Sequence, residues 1–339
     1  MEFGIFDHLD ASGRPLHDYY QDRLRVIEQF EAVGFRGYHV AEHHSTPLGM
    51  APSPSVFLAA VAARTTTLRF GPLVYALPLY HPYRLVQEIC MLDQMSGGRL
   101  EIGFGRGASP IEAAYFGNDH KEAEATYREY LALVMQGLEE GKLEGSGSFG
   151  NKDDVPLHVF PYQQPHPPLW YGVHSTDSAE RAARNGSNIV SLDTAEETKT
   201  FADRFREVWQ EEHGSLDGLP LVGLGLFVVV ADTDDDALAI ARRAYPVWHT
   251  SFNWLFEHHH TRLPVHQRPP EFDQMADQGR AVAGNPETVS TFLADRLKTA
   301  DATYLVGQHV FGDMTPAETE RSVALFGSEV IPALRGINA

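Results

Sequence analysis

The chain has 339 residues, of which 43% are hydrophobic and 22% are charged, proportions that favour a globular protein with a full core over a disordered chain. Acidic residues outnumber basic ones by 46 to 27, and the formal net charge of −19 argues against binding to a nucleic-acid backbone. No apolar run reaches the roughly 18 to 20 residues that span a bilayer, and the sequence after Met1 is unlike a signal peptide, so we expect a cytoplasmic protein that binds neither nucleic acid nor a membrane.

Short β-rich segments alternate with longer segments of helical periodicity, and eight such units can be counted. The predicted strands lie near residues 2–6, 37–40, 68–74, 100–104, 168–172, 187–191, 221–230 and 302–306. The predicted helices lie near residues 19–34, 54–64, 81–96, 178–186, 195–214, 233–248 and 285–300. Eight βα units predict an α/β protein with one domain over residues 1–339, folded as a (β/α)8 TIM barrel.

Two stretches interrupt the alternation and are predicted to be insertions after the fourth and seventh strands. Residues 105–166 contain a helical segment followed by a Gly/Ser-rich and then a Pro/Gln-rich passage. Residues 250–280 combine aromatic residues, histidines and prolines without clear periodicity. Because loops of this length are often functional, the second stretch is predicted to be a lid.

The end of the second predicted strand carries the run Glu42, His43 and His44. In a barrel of this type, catalytic side chains collect at the carboxyl ends of the strands. Histidine changes charge near neutral pH, so the pair is a candidate acid/base device. A surface loop that merely contains histidines is the alternative interpretation.

Three further strand ends carry polar or unusual residues. Leu73, Val74 and Tyr75 end the third strand, Arg106 lies among glycines after the fourth, and a His-Ser-Thr-Asp-Ser run over 174–178 follows the fifth. Serines at a helix N-terminus together with a nearby arginine form a plausible phosphate site. Simple helix capping explains the serines equally well, and the glycines of GFGRG do not match a nucleotide-binding fingerprint.

Two other kinds of site are less well supported. The run from Glu257 to His260 resembles a metal-ligand cluster, but neighbouring residues rarely point at one ion, and no HExxH motif is present; no metal is expected. The sequence contains no G-x-S-x-G motif, which argues against hydrolysis by a serine nucleophile. The single cysteine, Cys90, lies in a helical pattern and is predicted to be buried, and a lone cysteine suits a reducing compartment.

Taken in order, the motifs AEHH, LP..HP.R, MLDQMSGGRLEIGFGRG, the Ser-rich turn before AERAA, AGNPETV and ALFGSEVIPAL resemble the bacterial luciferase-like flavin monooxygenases, close to the luciferase α-subunit branch. The similarity covers nearly the whole chain. It implies a TIM barrel, usually dimeric, that binds reduced flavin mononucleotide (FMN) at the carboxyl ends of its strands.

The resemblance also implies roles for individual residues. His43 matches the catalytic histidine beside the flavin, His44 matches its neighbour, and Leu73-Val74 matches a cis peptide bond against the flavin ring. Arg106, Ser175 and Ser178 match the phosphate contacts, and Trp248 matches an aromatic residue near the pocket.

Two positions depart from the pattern of the family. Gly105 replaces a cysteine beside the reactive flavin carbon. It stays in the predicted flavin-binding set, and the pocket there is expected to be roomier or more accessible. His174 replaces an acidic residue and would add positive charge beside the phosphate. Both departures leave light emission and an aldehyde substrate open.

Aromatic residues could line a substrate pocket, although most could equally belong to the core. The candidates are Tyr75, Tyr115, Phe116, Trp248, Phe252 and Trp254.

The activity implied by the resemblance is oxygenation of a small, apolar organic substrate by reduced FMN and O2. A separate flavin reductase supplies the reduced flavin, and His43 acts as a base or proton relay. A homodimer is expected, and pairing with a different subunit stays open. Two rival hypotheses are hydride transfer with a deazaflavin of the coenzyme F420 type and flavin binding without catalysis.

Overall fold

The computed structural model describes residues 1–107, 109–144, 155–261 and 267–335. The Gly/Ser-rich passage at 145–154 and part of the predicted lid, 262–266, lie outside the described residues. The strands in the described ranges are β1 (Glu2–Asp7), β2 (Gly37–Val40), β3 (Arg69–Pro72), β4 (Tyr75–Ala76), β5 (Ile102–Gly105), β6 (Lys142–Leu143), β7 (Val155–Pro156), β8 (Leu169–Gly172), β9 (Asn188–Ser191), β10 (Val222–Val230), β11 (Ala281–Gly284) and β12 (Tyr304–Gln308).

Helices follow most of the strands. They are α1 (Leu16–Val33), α2 (Pro54–Arg64), α3 (Pro82–Ser96), α4 (Pro110–Tyr115), α5 (Ala123–Glu140), α6 (Thr176–Arg184), α7 (Ala195–His213), α8 (Asp234–His258), α9 (Phe272–Asp277), α10 (Pro286–Ala300), α11 (Pro316–Leu325) and α12 (Ile331–Leu334). A π-helical turn, Phe326–Val330, joins the last two.

The main sheet is parallel and forms a nearly closed barrel. The strand order is β3-β2-β1-β12-β10-β9-β8-β5-β4, and β11 pairs with the C-terminal half of β10. A parallel bridge between Phe70 and Leu100 joins β3 to the segment that leads into β5. The predicted (β/α)8 TIM barrel is thereby confirmed, and each of the eight predicted strands overlaps a strand of the barrel.

The insertions differ in detail from the prediction. The first contains α4, α5 and the antiparallel pair β6–β7. The second is more regular than expected: α8 extends ten residues past its predicted end at Trp248, and α9 and β11 follow it. Strand β11 was not predicted, because it has four small or apolar residues and directly follows a stretch without periodicity.

Local sequence signals explain where the helices begin and end. Helix α1 ends at Gly34 in a left-handed conformation, φ 96°. The hydroxyl of Thr233 accepts a hydrogen bond from the Asp236 N–H, 3.2 Å, and three aspartates fill the first turn of α8. Asn285 caps α10 in the same way, with Pro286 at the first helical position.

The floor of the barrel is closed by large side chains that point inward. Trp170 and Tyr304 are fully buried, and the Nε1–H of Trp170 donates to Glu101, 2.6 Å. Glu101 also accepts hydrogen bonds from Arg36, and the guanidinium beside it keeps the pKa of its carboxyl below the usual value despite burial. The hydroxyl of Tyr304 contacts His39 Nε2 at 2.9 Å. The interior is therefore filled at this end, and any site must open at the other end.

Candidate functional site

A pocket opens at the carboxyl ends of the barrel strands and has a volume of about 190 Å³. Apolar and aromatic side chains form most of its wall, together with a small number of polar ones. Its lining residues are Phe6, His8, His43, Thr46, Leu48, Ser109, Glu112, His174, Leu192, Phe252, Leu255, Phe256 and Arg268. This composition is typical of a small-molecule site.

His43, which follows β2, is a wall residue of this pocket, and its side chain is 25% exposed. Its Nδ1 lies 3.5 Å from Oε1 of Glu112, a residue of α4. The same carboxylate oxygen accepts a hydrogen bond from the backbone N–H of His44, 2.6 Å. Burial alone would raise the pKa of the Glu112 carboxyl, but the contacts from His43 and His44 outweigh burial and hold this pKa below its usual value. The imidazole of His43 therefore has a carboxylate partner at Nδ1, which leaves Nε2 available to a ligand.

His44 and Glu42 form a separate network behind the pocket. Nε2 of His44 contacts Oε1 of Glu42 at 2.8 Å. The other oxygen of Glu42 accepts from the Tyr80 hydroxyl, 2.8 Å, and from the Ala76 N–H, 3.1 Å. Since Glu42 is buried and both of its oxygens are engaged, it anchors the loop after β2 to β4 and the turn that follows β4.

A second imidazole, His8, follows β1 and also lines the pocket. It is buried, stacks on His43 with ring centroids 5.8 Å apart, and lies edge-on to Trp248 at 5.6 Å. Burial, reinforced by the neighbouring His43, lowers the pKa of His8 to about 3, so the ring stays neutral at physiological pH. No sequence motif points to His8, although it follows a predicted strand just as His43 does.

The residues expected to contact the flavin ring lie at the ends of β3 and β5. The peptide bond between Leu73 and Val74 is cis, as the resemblance implied. Val74 fills the space beside Gly105, because a Cβ built on that glycine would lie well inside 3.0 Å of a Val74 methyl group. Val74 therefore occupies the volume that a side chain at position 105 would fill.

Arg106 follows β5 and lies in a smaller pocket next to the first. That pocket also contains Glu42, His43 and His44 in its wall. The Arg106 side chain is 49% exposed, and its Nη1 lies 3.9 Å from Oε2 of Glu124. The guanidinium is thus accessible and only loosely paired.

His174, Ser175 and Ser178 lie at the junction of β8 and α6. Ser175 and Ser178 form a capping box, in which each hydroxyl accepts from the backbone N–H of the other residue at 3.1 to 3.2 Å. Nδ1 of His174 lies 2.9 Å from Oδ2 of Asp193, and His174 is a wall residue of the main pocket. A Cβ added to Gly172, just before this junction, would meet no atom within 4 Å. The space beside the last residue of β8, shortly before the helix, is therefore open.

Four of the six aromatic candidates occupy different positions relative to the pocket. Phe252 is in the pocket wall. Trp248 is buried directly behind it, with its ring stacked on Phe252 at 5.0 Å. Tyr75 is a core residue whose hydroxyl contacts Ser55 at 2.9 Å, and Tyr115 is 46% exposed and contacts His259.

The predicted lid segment contributes a large share of the pocket wall. Phe252, Leu255 and Phe256 come from the second half of α8, and Arg268 comes from the segment before α9. Sequence periodicity did not reveal these residues, because Pro246 and the histidine-rich end interrupt the helical pattern.

In the described ranges, no three His, Cys, Asp or Glu side chains converge as a metal site would require. His258 stacks on Trp254 at 4.8 Å, and His259 contacts Tyr115. None of the described helices combines the length and apolar character needed to cross a membrane.

Comparison with known proteins gives a family match over most of the chain. The family described as luciferase-like monooxygenase matches residues 1–309. A relative from Sinorhizobium fredii, the uncharacterized protein y4wF, is 40% identical over 317 residues, which cover 93% of this chain and 92% of the relative.

Two solved structures share the fold. One is the oxygenating constituent of 3,6-diketocamphane monooxygenase from Pseudomonas putida in complex with FMN, with TM-score 0.78, 21% identity and 98% coverage of each chain. The other is the coenzyme F420 dependent tetrahydromethanopterin reductase of Methanopyrus kandleri, with TM-score 0.69, 20% identity and 98% coverage of each chain.

Proposed function

The chain belongs to the luciferase-like monooxygenase family, and from this membership we propose that it uses reduced FMN and O2 to oxygenate a small, largely apolar organic substrate. The observation that carries the proposal is the pocket at the barrel mouth, where His43 and its partner Glu112 meet a mostly apolar wall. An acid/base group in such a wall suits a reaction that must keep water away from a reactive group.

FMN is the proposed cofactor, and the residues present fit it. The loosely paired guanidinium of Arg106 and the open space before α6 suit a phosphate group. A solved structure of the same fold carries FMN. The residues proposed to hold the flavin are Leu73, Val74, Gly105, Arg106, His174, Ser175 and Ser178.

When bound, reduced flavin supplies the electrons with which O2 is activated and one oxygen atom is delivered to the substrate. The protein must then bind the substrate, orient it and move protons. His43 is proposed to move the proton, because Glu112 holds its Nδ1 and leaves Nε2 to take a proton from the substrate or return one. His44, tied to Glu42, is proposed to hold the loop that presents His43.

Exclusion of water is the proposed task of the lid, residues 250–280. The apolar side chains of Phe252, Leu255 and Phe256 cover one side of the pocket. Closure over bound ligands would dry the site and strengthen its hydrogen bonds.

A separate flavin reductase is the proposed source of reduced FMN. The 3,6-diketocamphane enzyme is described as an oxygenating constituent, which implies a second constituent for that enzyme. We extend this two-component arrangement to the present chain by analogy of fold and family.

We also propose a homodimer, on the basis of an apolar surface patch at the C-terminal half of α3. Met91, Met95, Phe160 and Tyr162 are each about half exposed or more. The Gln94 side chain donates to the Phe160 carbonyl, 3.0 Å, so the loop that carries the aromatic residues packs beside α3. Exposed apolar side chains on neighbouring segments commonly mark a protein interface.

Hydride transfer with a deazaflavin is the second candidate function. The similarity of fold to a coenzyme F420 dependent reductase favours it. Both cofactors carry a fused tricyclic ring system and a phosphate-bearing side chain, so the residues around the pocket alone do not separate them.

An anaerobic titration followed by admission of O2 tests the proposal. We expect tight binding of reduced FMN, weak binding of reduced deazaflavin, and formation of an oxygenated product when O2 and a substrate are added. Binding of the deazaflavin alone would contradict the proposal and support hydride transfer. Flavin binding without any oxygenated product across a broad substrate panel would support the third hypothesis, flavin binding without catalysis.

A further inference from the structure

Two arginine side chains meet at the carboxyl end of β9. The Nη2 of Arg280 donates to the Leu192 carbonyl, 2.7 Å, and the Nη2 of Arg268 donates to the same oxygen, 3.3 Å. Arg280 is more than nine-tenths buried, whereas Arg268 is a wall residue of the main pocket. Two positive charges therefore share one neutral acceptor at the edge of the pocket.

Neither guanidinium has a carboxylate oxygen within 4.0 Å in the part of the chain that the structure describes. The acidic groups that act on Arg280 from farther away, Asp193 and Glu197, are engaged elsewhere. Asp193 contacts His174 at 2.9 Å, and Glu197 accepts from the amide and the hydroxyl of Thr194 at 3.0 and 2.8 Å. Burial of a cation without a close counter-charge is costly, so this corner favours an added anion.

The guanidinium of the buried Arg280 also lacks, within the described part of the chain, a hydrogen-bond partner at one of its nitrogen atoms. The Nε atom of Arg280 has no hydrogen-bond partner among the described residues. Burial lowers the pKa of Arg280, and the attraction of Asp193 offsets this only in part. An anion bound next to it would stabilise the charged form of the guanidinium.

Arg268 is the arginine that such an anion can reach from the pocket. Of its five N–H donors, a single one is used by a described residue, the contact with Leu192. Among the described residues, the pocket wall contains one carboxylate, Glu112, and this group is held by His43 and His44. A ligand anion beside Arg268 would therefore face no repulsion from an adjacent uncompensated carboxylate of the wall.

The strand order places this positive corner across the barrel from the histidines. In the circle β1, β2, β3, β5, β8, β9, β10 and β12, strand β9 lies opposite β2, and β8 lies opposite β1. His43 follows β2 and Leu192 follows β9, so the two polar ends of the pocket stand on opposite sides of its mouth. Apolar side chains of Phe6, Phe252 and Leu255 belong to the wall that connects them.

From this arrangement we infer that the substrate has an apolar body and a carboxylate, with the carboxylate bound by Arg268 and the reactive end directed toward His43. The inference rests on the proposed function and specifies its substrate class. The planar guanidinium suits a two-point contact with a carboxylate, and binding one end of the substrate fixes which carbon atom is presented to the reactive centre.

The phosphate of the flavin is the competing source of an anion. Of the residues proposed near that phosphate, His174 is a wall residue of the main pocket, whereas Arg106, Ser175 and Ser178 are not, and Arg106 lies in the smaller pocket. Arg268 uses a single N–H donor on a described residue, and a comparison of FMN with riboflavin distinguishes a substrate carboxylate from the flavin phosphate.

The experiment measures the binding of matched acids and amides to the FMN-saturated protein by calorimetry. The probes are benzoate, 3-phenylpropanoate and octanoate, each paired with its neutral amide. We expect at least one acid of the series to bind about 10-fold more tightly than its amide, as removal of a charged hydrogen bond typically costs that much or more. In Arg268→Gln the preference should fall to within about 2-fold.

Two further variants complete the test. Arg242→Gln removes an exposed positive charge of α8 that pairs with Asp273, and the preference for the acid should persist. Arg268→Lys keeps the charge but loses the two-point geometry, so an intermediate preference is expected. Equal binding of acids and amides, no binding by any acid, or an unchanged preference in Arg268→Gln would each overturn the inference.

A second binding experiment compares the affinity of the protein for FMN with its affinity for riboflavin, which lacks the phosphate. If Arg268→Gln weakens FMN but not riboflavin and leaves the preference for acids unchanged, then Arg268 binds the flavin phosphate and the inference is wrong. Failure of the wild-type protein to bind FMN would instead contradict the proposed function, so the two failures are distinguishable.

Discussion

At the scale of single residues, His43 is the group on which the proposed chemistry depends. Replacement by alanine should leave the affinity for reduced FMN within about 3-fold of wild type while product formation falls by roughly 10²- to 10⁴-fold, the usual loss for a general acid/base group. The measurement is anaerobic flavin titration together with product yield. His17→Ala, which removes an exposed histidine of α1, is the matched control. Unchanged product yield in His43→Ala would remove the assigned role.

Gly105 allows a second residue-scale prediction. Gly105→Ala should lower the free energy of unfolding by about 1 to 3 kcal/mol, since the new methyl group would collide with the β-branched, rotationally restricted side chain of Val74. Gly172→Ala is the control, because its Cβ would meet no atom within 4 Å. Urea unfolding of both variants checks the difference. Equal stabilities would show that Val74 moves aside easily.

The sequence predicted one histidine of the stacked pair and missed the other. His43 was found because the AEHH run matches a family motif, and that motif sits at a strand end. His8 also follows a strand, but a single histidine in FDHLD carries no motif, and its stacking on His43 is a contact between different strands. Glu112 was missed for the same reason, since its partners lie 68 and 69 positions earlier in the chain.

At the scale of elements, the N-terminus of α8 should depend on its cap. Thr233→Ala removes the hydroxyl that accepts from the Asp236 N–H and should cost about 1 kcal/mol of stability. Thr200→Ala, at an exposed position within α7, should be neutral or slightly stabilising, because alanine is the better helix former. Thermal unfolding of the two variants distinguishes a cap from an ordinary threonine, and equal shifts would contradict the assignment.

The helices were predictable from the sequence where caps and periodicity agree. Both ends of α2 and the end of α3 lie at the predicted residues, and their starts have Pro54 and Pro82 at the first position. The second half of α8 was not predictable from the sequence. There the local helical pattern is weak, and side-chain contacts such as the stacking of Phe252 on Trp248 hold the helix. The residues of this segment that line the pocket are therefore identified from the structure and not from the sequence.

At the scale of the whole molecule, buried histidines should make the fold sensitive to acid. Burial lowers the pKa of His8 and His309 to about 3 and of His39 to about 4, against 6.5 for an unfolded histidine. Between these values the unfolded chain binds protons that the folded chain does not, so stability is lost as pH falls from 6.5 toward 4. Asp10, whose pKa burial raises to about 7, acts in the opposite direction, but it is one group against three.

His309 provides the test of this acid sensitivity. It packs against Phe35 and Phe326, and neither ring nitrogen has a hydrogen-bond partner among the described residues. His309→Leu should reduce the slope of unfolding free energy against pH by about 1.4 kcal/mol per unit between pH 4 and 6.5. Urea unfolding at several pH values measures the slope. Parallel curves for the variant and wild type would contradict the prediction.

The proposed dimer is also a prediction for the whole molecule. Met91→Glu combined with Met95→Lys places opposite charges in the apolar patch with no change in net charge, and should convert a dimer to a monomer in light scattering. Val56→Lys, at an exposed apolar position of α2 that is outside the defined patch, is a comparison variant. A monomeric wild-type protein would contradict the proposal directly.

The closed floor of the barrel has a consequence for kinetics. Because Trp170, Tyr304 and Glu101 fill the floor of the barrel, the proposed flavin, substrate and product would all enter and leave through its mouth. Ligands that share one entrance can obstruct one another, and a substrate that binds first would block access of the flavin to its site. We therefore expect a compulsory order of binding, with the flavin before the substrate, and inhibition of turnover by excess substrate when reduced flavin is scarce.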